Sequence, residues 1–382
     1  MTTRNIVIAL AGLAGLFGLL GVFVAFFCCW RQKSGGGRLP LPGWRAVRIT
    51  VAVMALAVLG GYLRWRMVTA AEYSVANSGD TVMLGRNASL GGLRLFPPDH
   101  PWNTRIDQAP LDSQSAVFID VIGPETRLHP DFGTGKLGIR LYGIPYVVVD
   151  GSKIRRSRLS FGYADESDDV PYPIPDNPPI EAYGDRHLLI FDRESQHLHE
   201  LFNLERDQYG WTAGSGATWD VTSNVSRPDG WTSSDAAGLQ VLPGLARADE
   251  VYDRGRIDHA LRFGVRKTAR AHRYPARHDA SSNNATDLPP MGLRLRLKGS
   301  IRADTFPAGA AVIVRALQQY GMILADNAGP LFMGGTADRR WKRVDTKALY
   351  GIRAGDFEVI QTLPPPVGDT VAWKEAPWKK QE

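Results

Sequence analysis

Alternating apolar and polar residues predict several strands in the middle and near the end of the chain. In residues 293–298 leucine alternates with arginine or lysine, so the leucines face one side of a strand and the cationic side chains the other. Residues 142–151 form a nearly continuous apolar run that ends in Asp-Gly, which is typical of a buried strand followed by a turn. Further segments have strand character: RLSFGYA, RHLLIFDRES, HLHELFNLE, DHALRFGV and FEVIQTL.

Helical periodicity is rare by comparison. Residues 307–321 begin with Pro307 and end at Gly321, with apolar side chains at helical spacing. A short helix is also expected after Ser113, which is placed to cap it. Many short strands, long loops and one or two helices predict a mainly β fold, either a β-sandwich or a jelly roll.

The order of these segments predicts four parts of the chain. Residues 1–67 form a membrane anchor of two transmembrane helices, and residues 68–94 form a linker rich in glycine, serine and asparagine. Residues 95–362 form the β-rich domain, and residues 363–382 form a flexible tail.

Two apolar stretches near the N-terminus predict the membrane spans. The first, residues 6–27, carries no charge and is long enough, at about 1.5 Å per residue, to cross a hydrocarbon core of about 30 Å. The second, residues 46–65, contains a shorter uncharged run, residues 49–63, which arginine and tryptophan flank on both sides.

Charge sets the orientation of these spans. The loop between them carries five arginine or lysine residues, so the positive-inside rule places it in the cytoplasm. The protein is then a two-pass protein of the cell membrane whose β-rich domain lies outside the cytoplasm. If the second stretch is instead an interfacial helix, the domain lies in the cytoplasm.

The net charge of +6 does not indicate nucleic-acid binding. Residues 1–70 carry eight basic residues and no acidic one, and the remaining 37 basic and 39 acidic residues sum to −2. A near-neutral domain without a basic stripe excludes nucleic acid as the partner. The two cysteines, Cys28 and Cys29, lie in the predicted anchor, so no disulfide or thiolate-metal site is expected in the domain.

Several signatures of known chemistry are absent from the sequence, including the P-loop, GxGxxG, HExxH and GxSxG patterns. No cofactor is expected. His197 and His199 share one face of a predicted strand, either as a pair of ligands or as polar residues of an edge strand. With no third ligand in view, no metal site is predicted.

Short polar residues around a tryptophan point to sugar recognition. An aromatic face stacks on a pyranose ring, and carboxylates and amides bind its hydroxyls. Paired carboxylates are suited to glycoside hydrolysis, and a histidine with an arginine is suited to β-elimination on an acidic polysaccharide. The predicted catalytic residues are Asp235, Asp249, Glu250, His259 and His278. The predicted substrate-binding residues are Trp231, Arg262, Asp220 and Arg277.

A purely architectural interpretation of residues 230–251 competes with this one. The SSDAAGL segment is also typical of a capped turn, LPGL of a second turn, and His259 of a hydrogen-bonded core histidine.

Several segments together resemble a group of secreted or anchored bacterial β-rich proteins without an established activity. They are GDRHLLIFDRES, GSGATWDVTSNVSRPDGWTSSDAAGLQVLPGLARADEV, HALRF, PARHDASS and MGLRLRLK. The resemblance covers residues 95–326 and implies an exported single domain. It brings no catalytic residues with it.

The sequence therefore predicts a membrane-tethered domain that acts on polysaccharide, such as an envelope glycan, as a hydrolase or lyase. The alternatives are a non-catalytic glycan- or protein-binding module and an envelope scaffold protein. An enzyme requires two carboxylates roughly 5 to 10 Å apart, or a histidine and an arginine that converge on one point. A binding module requires only a groove floored by Trp231 or Trp219.

Overall fold

A computed structural model describes residues 82–134, 141–182, 184–366 and 369. The two predicted membrane spans, about half of the predicted linker and most of the predicted tail lie outside the described residues. Within these residues, no helix combines the length and apolar character needed to cross a bilayer.

The described part of the chain is mainly β, which confirms the predicted class. Three α-helices accompany the strands, namely α1 (Ser115–Ile122), α2 (Ala308–Gln319) and α3 (Arg343–Leu349), together with a π-helical turn at Glu250–Arg254. The strands are β1 Gly85–Arg86, β2 His129–Asp131, β3 Gly133–Thr134, β4 Leu141–Tyr142, β5 Tyr146–Val149, β6 Leu159–Phe161, β7 Leu188–Asp192, β8 His197–Phe202, β9 Glu205–Arg206, β10 Trp211–Ala213, β11 Ser215–Asp220, β12 Leu261–Val265, β13 Arg294–Leu297, β14 Met322–Asn327, β15 Phe332–Gly334 and β16 Phe357–Val359.

Every strand predicted from the pattern is present, but some details differ. Helix α1 begins after Gln114, and Asp112 rather than Ser113 supports its start by accepting the Gln114 N–H over 2.8 Å. The prediction that the cations of β13 face outward is wrong for Arg294. Its side chain is buried and donates to the carbonyls of Pro101 and Tyr320, and burial lowers its pKa to about 9.

A five-stranded sheet, in the order β1-β5-β7-β8-β11, forms one half of the domain. Strand β7 is buried along its whole length because both faces of the sheet are covered. One face packs Leu188 and Ile190 with Tyr172 of a neighbouring loop, and the other packs Leu189 and Phe191 with Tyr146. A three-stranded sheet, β6-β10-β9, packs against this half, and β3 of the β3-β4 pair contacts helix α3.

A six-stranded sheet, in the order β16-β13-β14-β12-β15-β2, forms the other half. Helix α2 covers one face and packs Ile313 and Leu317 into the same core as Phe263 and Leu295. The pairs β12–β14 and β15–β2 are parallel. The sheet is therefore mixed, whereas a jelly roll pairs its strands antiparallel.

Residues 230–251 run between the two large sheets, and we call this segment the intersheet strip. Residues 237–251 are all buried. On one side, Ser215 of β11 donates its hydroxyl to the carbonyl of Ser233 over 2.5 Å. On the other side, the N–H groups of Ala237 and Ala246 donate to carbonyls of β14 and β15 over 3.1 and 3.2 Å. The strip is thus a hydrogen-bonded part of the core, although it is rich in small and polar residues.

Glu200 of β8 anchors the middle of the strip. Its carboxylate is fully buried and accepts the N–H groups of Val241 and Leu242 over 2.8 Å each, as well as the hydroxyl of Ser234 over 2.9 Å. Burial raises the pKa of Glu200 to about 7, although these three donors act to lower it. One side chain therefore satisfies three buried donors of the strip.

Glu200→Ala should lower the free energy of unfolding by roughly 3 kcal/mol, because it leaves two buried N–H groups and a hydroxyl without their acceptor. Denaturant unfolding of the full chain measures this. Glu205→Ala, which removes an exposed glutamate of β9, is the matched control and should change stability by no more than about 0.5 kcal/mol. Equal effects of the two changes would contradict the anchoring role of Glu200.

Candidate active site

Polar side chains gather on the face of the six-stranded sheet that the intersheet strip covers. Gly334 of β15 packs against Arg262 of β12, since a Cβ at Gly334 would lie 2.9 Å from the arginine Cγ. Asp131 of β2 pairs in register with Gly334. The register of β12 shifts at a β-bulge before Gly264, and this brings Asp326 of β14 opposite Gly264. Bulges often re-aim side chains at functional sites, and this one places Asp326 beside Arg262.

Arg262 holds two carboxylates close together. Its Nε and Nη2 atoms donate to Oδ2 of Asp235 over 3.1 and 2.7 Å. Nη2 also lies 3.6 Å from Oδ2 of Asp326, so the two carboxylate oxygens are no more than 6.3 Å apart. The side chain of Asp235 is 0% exposed and that of Asp326 is 29% exposed. Only Asp326 of this pair is open to a ligand.

The carboxyl groups around Arg262 hold their protons more tightly than usual. Burial raises the pKa of Asp235 to about 6, although Arg262 acts to lower it. Burial also raises the pKa of Asp326, against the lowering effects of Arg262 and His187. The pKa of Asp131 is raised by burial as well. A carboxyl with a raised pKa is suited to general acid catalysis near neutral pH.

His187, just before β7, brings a further carboxylate to the same place. Its Nδ1 lies 2.8 Å from Oε2 of Glu181, and its Nε2 lies 2.8 Å from the carbonyl oxygen of Ser234. Both neighbours are oxygen atoms that can accept a hydrogen bond, which favours a proton on each ring nitrogen. Burial acts to lower the pKa of His187, but the hydrogen bond and charge of Glu181 outweigh burial and raise it.

Six residues make up this site, which we call the Arg262 cluster. Sequence analysis predicted two of them and missed the other four. Two of the missed residues, Asp326 and His187, each adjoin a buried apolar run, in MILADN and RHLLIF. A polar residue at the end of such a run was the sequence signal that could have identified them. The cluster consists of Asp131, Glu181, His187, Asp235, Arg262 and Asp326.

Three of the predicted catalytic residues lie together in a different place, at the π-helical turn. The carboxylate of Glu250 lies 2.6 Å from Nη2 of Arg247 and 3.1 Å from Nε2 of His259, while Nδ1 of His259 lies 2.8 Å from the carbonyl of Ala260. Burial acts to raise the pKa of Glu250, but Arg247 and His259 outweigh it and lower the pKa. Asp249 lies 3.5 Å from Nε of Arg247. Both carboxylates are buried in ion pairs.

The predicted tryptophan and the last predicted histidine lie on a third part of the surface. Arg227 lies between two indoles, with its Cζ 5.8 Å from the ring centre of Trp219 and 5.4 Å from that of Trp231. Trp219 is buried, and one face of Trp231 is occupied by the guanidinium. His278 lies nearby, with Nε2 4.0 Å from a carboxylate oxygen of Glu166.

The two remaining predicted binding residues lie apart from these places. Asp220 is exposed and accepts the hydroxyl of Thr222 over 2.6 Å. Arg277 is buried and pairs with Asp369 over 2.6 Å. The nine predicted site residues therefore do not form one constellation, and only Asp235 and Arg262 belong to the Arg262 cluster.

The histidine pair of β8 does not lie on an edge strand, because β8 lies between β7 and β11. The rings of His197 and His199 are stacked with their centres 6.1 Å apart, and Nδ1 of His199 lies 2.9 Å from the hydroxyl of Thr218. Over the described ranges, no group of three or more histidine, cysteine or acidic side chains is arranged to hold a metal ion.

Arg262→Met should destabilise the protein more at pH 8 than at pH 5. Without the cation that lowers its pKa, Asp235 keeps its proton above pH 6 in the folded state and loses it on unfolding. Above about pH 6, each further pH unit then lowers the free energy of unfolding of the variant by about 1.4 kcal/mol. We expect a difference in penalty of about 2 kcal/mol between the two pH values, measured by denaturant unfolding.

Arg302→Met, which removes an exposed arginine paired with an exposed aspartate, is the matched control. The double change Arg262→Met and Asp235→Asn should remove most of the pH dependence, because no titrating carboxyl then remains at position 235. A penalty that is equal at both pH values would show that Arg262 does not hold Asp235 ionised.

Comparisons with known proteins add no relative to these observations. No family model, no curated protein and no solved structure matches the chain. What the molecule does must therefore be inferred from the chemistry of its own side chains, above all those of the Arg262 cluster.

Proposed function

We propose that the chain is a glycoside hydrolase that acts on polysaccharide at the Arg262 cluster. The observation that carries the proposal is the gathering of several carboxylates around one buried guanidinium and one buried histidine. Glycoside hydrolysis needs one carboxylic acid that keeps its proton and one carboxylate that acts as base or nucleophile. The cluster offers both kinds of group within one polar layer.

Exposure and hydrogen bonding support the roles that we propose for three of the carboxylates. Glu181 and Asp326 have side chains that are 11% and 29% exposed, whereas Asp235 is 0% exposed. Asp326, whose pKa burial raises, is the general acid that protonates the glycosidic oxygen. Glu181, which accepts a hydrogen bond from His187, is the base or nucleophile. Asp235 is a positioning residue, because its carboxylate accepts the hydrogen bonds that hold the guanidinium of Arg262 in place.

Two features favour hydrolysis over the alternatives. A lyase centred on His259 would need a ring nitrogen that is free to take a proton from the substrate, but Nδ1 of this histidine lies 2.8 Å from the carbonyl of Ala260 and Nε2 lies 3.1 Å from the carboxylate of Glu250. A binding module built on tryptophan stacking would need a free indole face. Trp219 is buried and Arg227 covers one face of Trp231, so at most the other face of Trp231 is left for a sugar ring. These two sites therefore support the proposal less than the Arg262 cluster does.

Incubation of the full chain with neutral and acidic polysaccharides and with peptidoglycan tests the activity. We expect new reducing ends without the ultraviolet absorbance of unsaturated products. Asp326→Asn and Glu181→Gln should each lower the rate by at least about 100-fold, because each removes a proton-transfer group. In the active chain the rate should fall as the pH rises through the raised pKa of Asp326, since the acid must hold its proton.

Asp176→Asn, which changes an exposed aspartate, is the matched control and should leave the rate unchanged. Absorbance of unsaturated products would show a lyase instead. Retention on the polymer without cleavage would favour a binding module, and inactivity in every assay would favour an envelope scaffold. Full activity of Asp326→Asn would place the chemistry elsewhere.

We further propose that the domain is a β-sandwich held outside the cytoplasm by two N-terminal membrane spans. The supporting observations are the two large sheets with the strip between them and the charge pattern of residues 1–67. A periplasmic or extracellular reporter fused after residue 382 should be active, and a cytoplasmic reporter at the same position should be inactive. The opposite result would support the interfacial interpretation of the second apolar stretch.

A further inference from the structure

A cleft with a volume of about 100 Å³ opens beside the π-helical turn. The turn contributes Arg254, and the segments on either side of it contribute Arg247 and Arg256. Arg94, from the chain that follows β1, completes the set of four guanidiniums. We call this cavity the arginine cleft. It shares no residue with the Arg262 cluster.

The cleft has an excess of positive charge. Four arginines stand against two acidic lining residues, Glu250 and Asp258, so these six side chains carry a net charge of +2. Glu250 is already satisfied, because it lies 2.6 Å from Arg247 and 3.1 Å from His259. The positive charge that remains available to a ligand therefore comes from the other three arginines, Arg94, Arg254 and Arg256, which we call the outer arginines.

The outer arginines are only partly neutralised. Asp258 lies 2.9 Å from Nε of Arg256 but 3.6 Å from Nη2 of Arg254, so its contact with Arg254 is the weaker one. Arg94 is exposed and forms no ion pair with the residues that the structure describes. Two guanidiniums that line the cleft, those of Arg94 and Arg254, thus retain donors that Asp258 does not use.

The wall of the cleft holds Arg254 in place. A Cβ at Gly92 would lie 3.1 Å from both Cζ and Nη2 of Arg254, so the backbone of Gly92 packs directly against the guanidinium. Asp249 fixes this backbone by accepting the N–H of Leu90 over 3.4 Å and the hydroxyl of Ser89 over 3.3 Å. Because the guanidinium of Arg254 is fixed before a ligand arrives, this side chain loses less conformational entropy on binding.

We propose that the arginine cleft binds an oxyanion, either the carboxylate of an acidic sugar or a phosphate group. Planar guanidiniums match both anions with paired N–H donors, and neutral sugars give them no charge to pair with. The cleft is large enough for one anionic group and the atoms bonded directly to it. The proposal does not depend on the hydrolysis proposed for the Arg262 cluster.

Fluorescence polarisation with the full chain tests the proposal. The probes are a labelled oligogalacturonide and a labelled neutral oligogalactoside of equal length, and inorganic phosphate is titrated as a competitor. We expect the acidic probe to bind and the neutral probe not to bind. Arg94→Gln and Arg254→Gln should each raise the Kd by about tenfold, and added salt should weaken binding.

Arg302→Gln, which removes an exposed arginine far from the cleft in sequence, is the matched control and should leave the Kd unchanged. Thermal unfolding of each variant checks that the fold is intact, and Arg94→Gln is the safer test because Arg94 forms no ion pair in the described structure. Displacement by phosphate at low concentration identifies phosphate as the preferred source of the oxyanion, and displacement only at high concentration identifies the acidic sugar. Equal binding of the two probes, no binding of either anion, or an unchanged Kd in both variants would overturn the proposal.

Discussion

Residues 237–251 of the intersheet strip are all buried, and the need to pair their peptide groups away from water shapes the structure around them. A buried N–H or C=O group without a partner costs about 1–3 kcal/mol, so the strip needs acceptors and donors on both sides. For its N–H groups, Glu200 provides acceptors from the five-stranded sheet, and the carbonyls of Ala325 and Gly334 provide acceptors from the six-stranded sheet. A charged side chain such as Glu200 suits this buried layer because one carboxylate accepts hydrogen bonds from several buried donors at once.

Each deeply buried charge then requires a partner of opposite sign. Arg262 lies against Asp235, His187 against Glu181, and Arg247 against Glu250. Such pairs add little net stability, because desolvation of both ions offsets their attraction, but loss of one member is costly. Binding or catalysis is expected where a charged group reaches the surface and is only partly paired with groups of opposite charge. Asp326 and Arg94 are the clearest cases, and they mark the two proposed sites.

Strands were predictable because their period of two is a local property of the sequence. Strands β5, β7, β12 and β13 lie within the segments whose pattern predicts them. The Arg262 cluster was less accessible, since its members come from β2, β12, β14, the chain before β7 and the intersheet strip. Asp235 lies in TSSDAAG, a stretch of small polar residues that is typical of an exposed turn, and only the closure of two sheets around it makes it buried.

The intersheet strip also decides how the domain can be divided. Its residues follow the last strand of the five-stranded sheet and precede β12, so in sequence it would pass for a linker between two modules. In space it belongs to both halves, and each half would expose an unsatisfied polar face if the other were removed. Neither sheet is therefore a self-sufficient folding unit. The natural places for insertion, fusion or circular permutation are the outer loops, and a cut within residues 230–251 would separate two fragments that each lack half of their core.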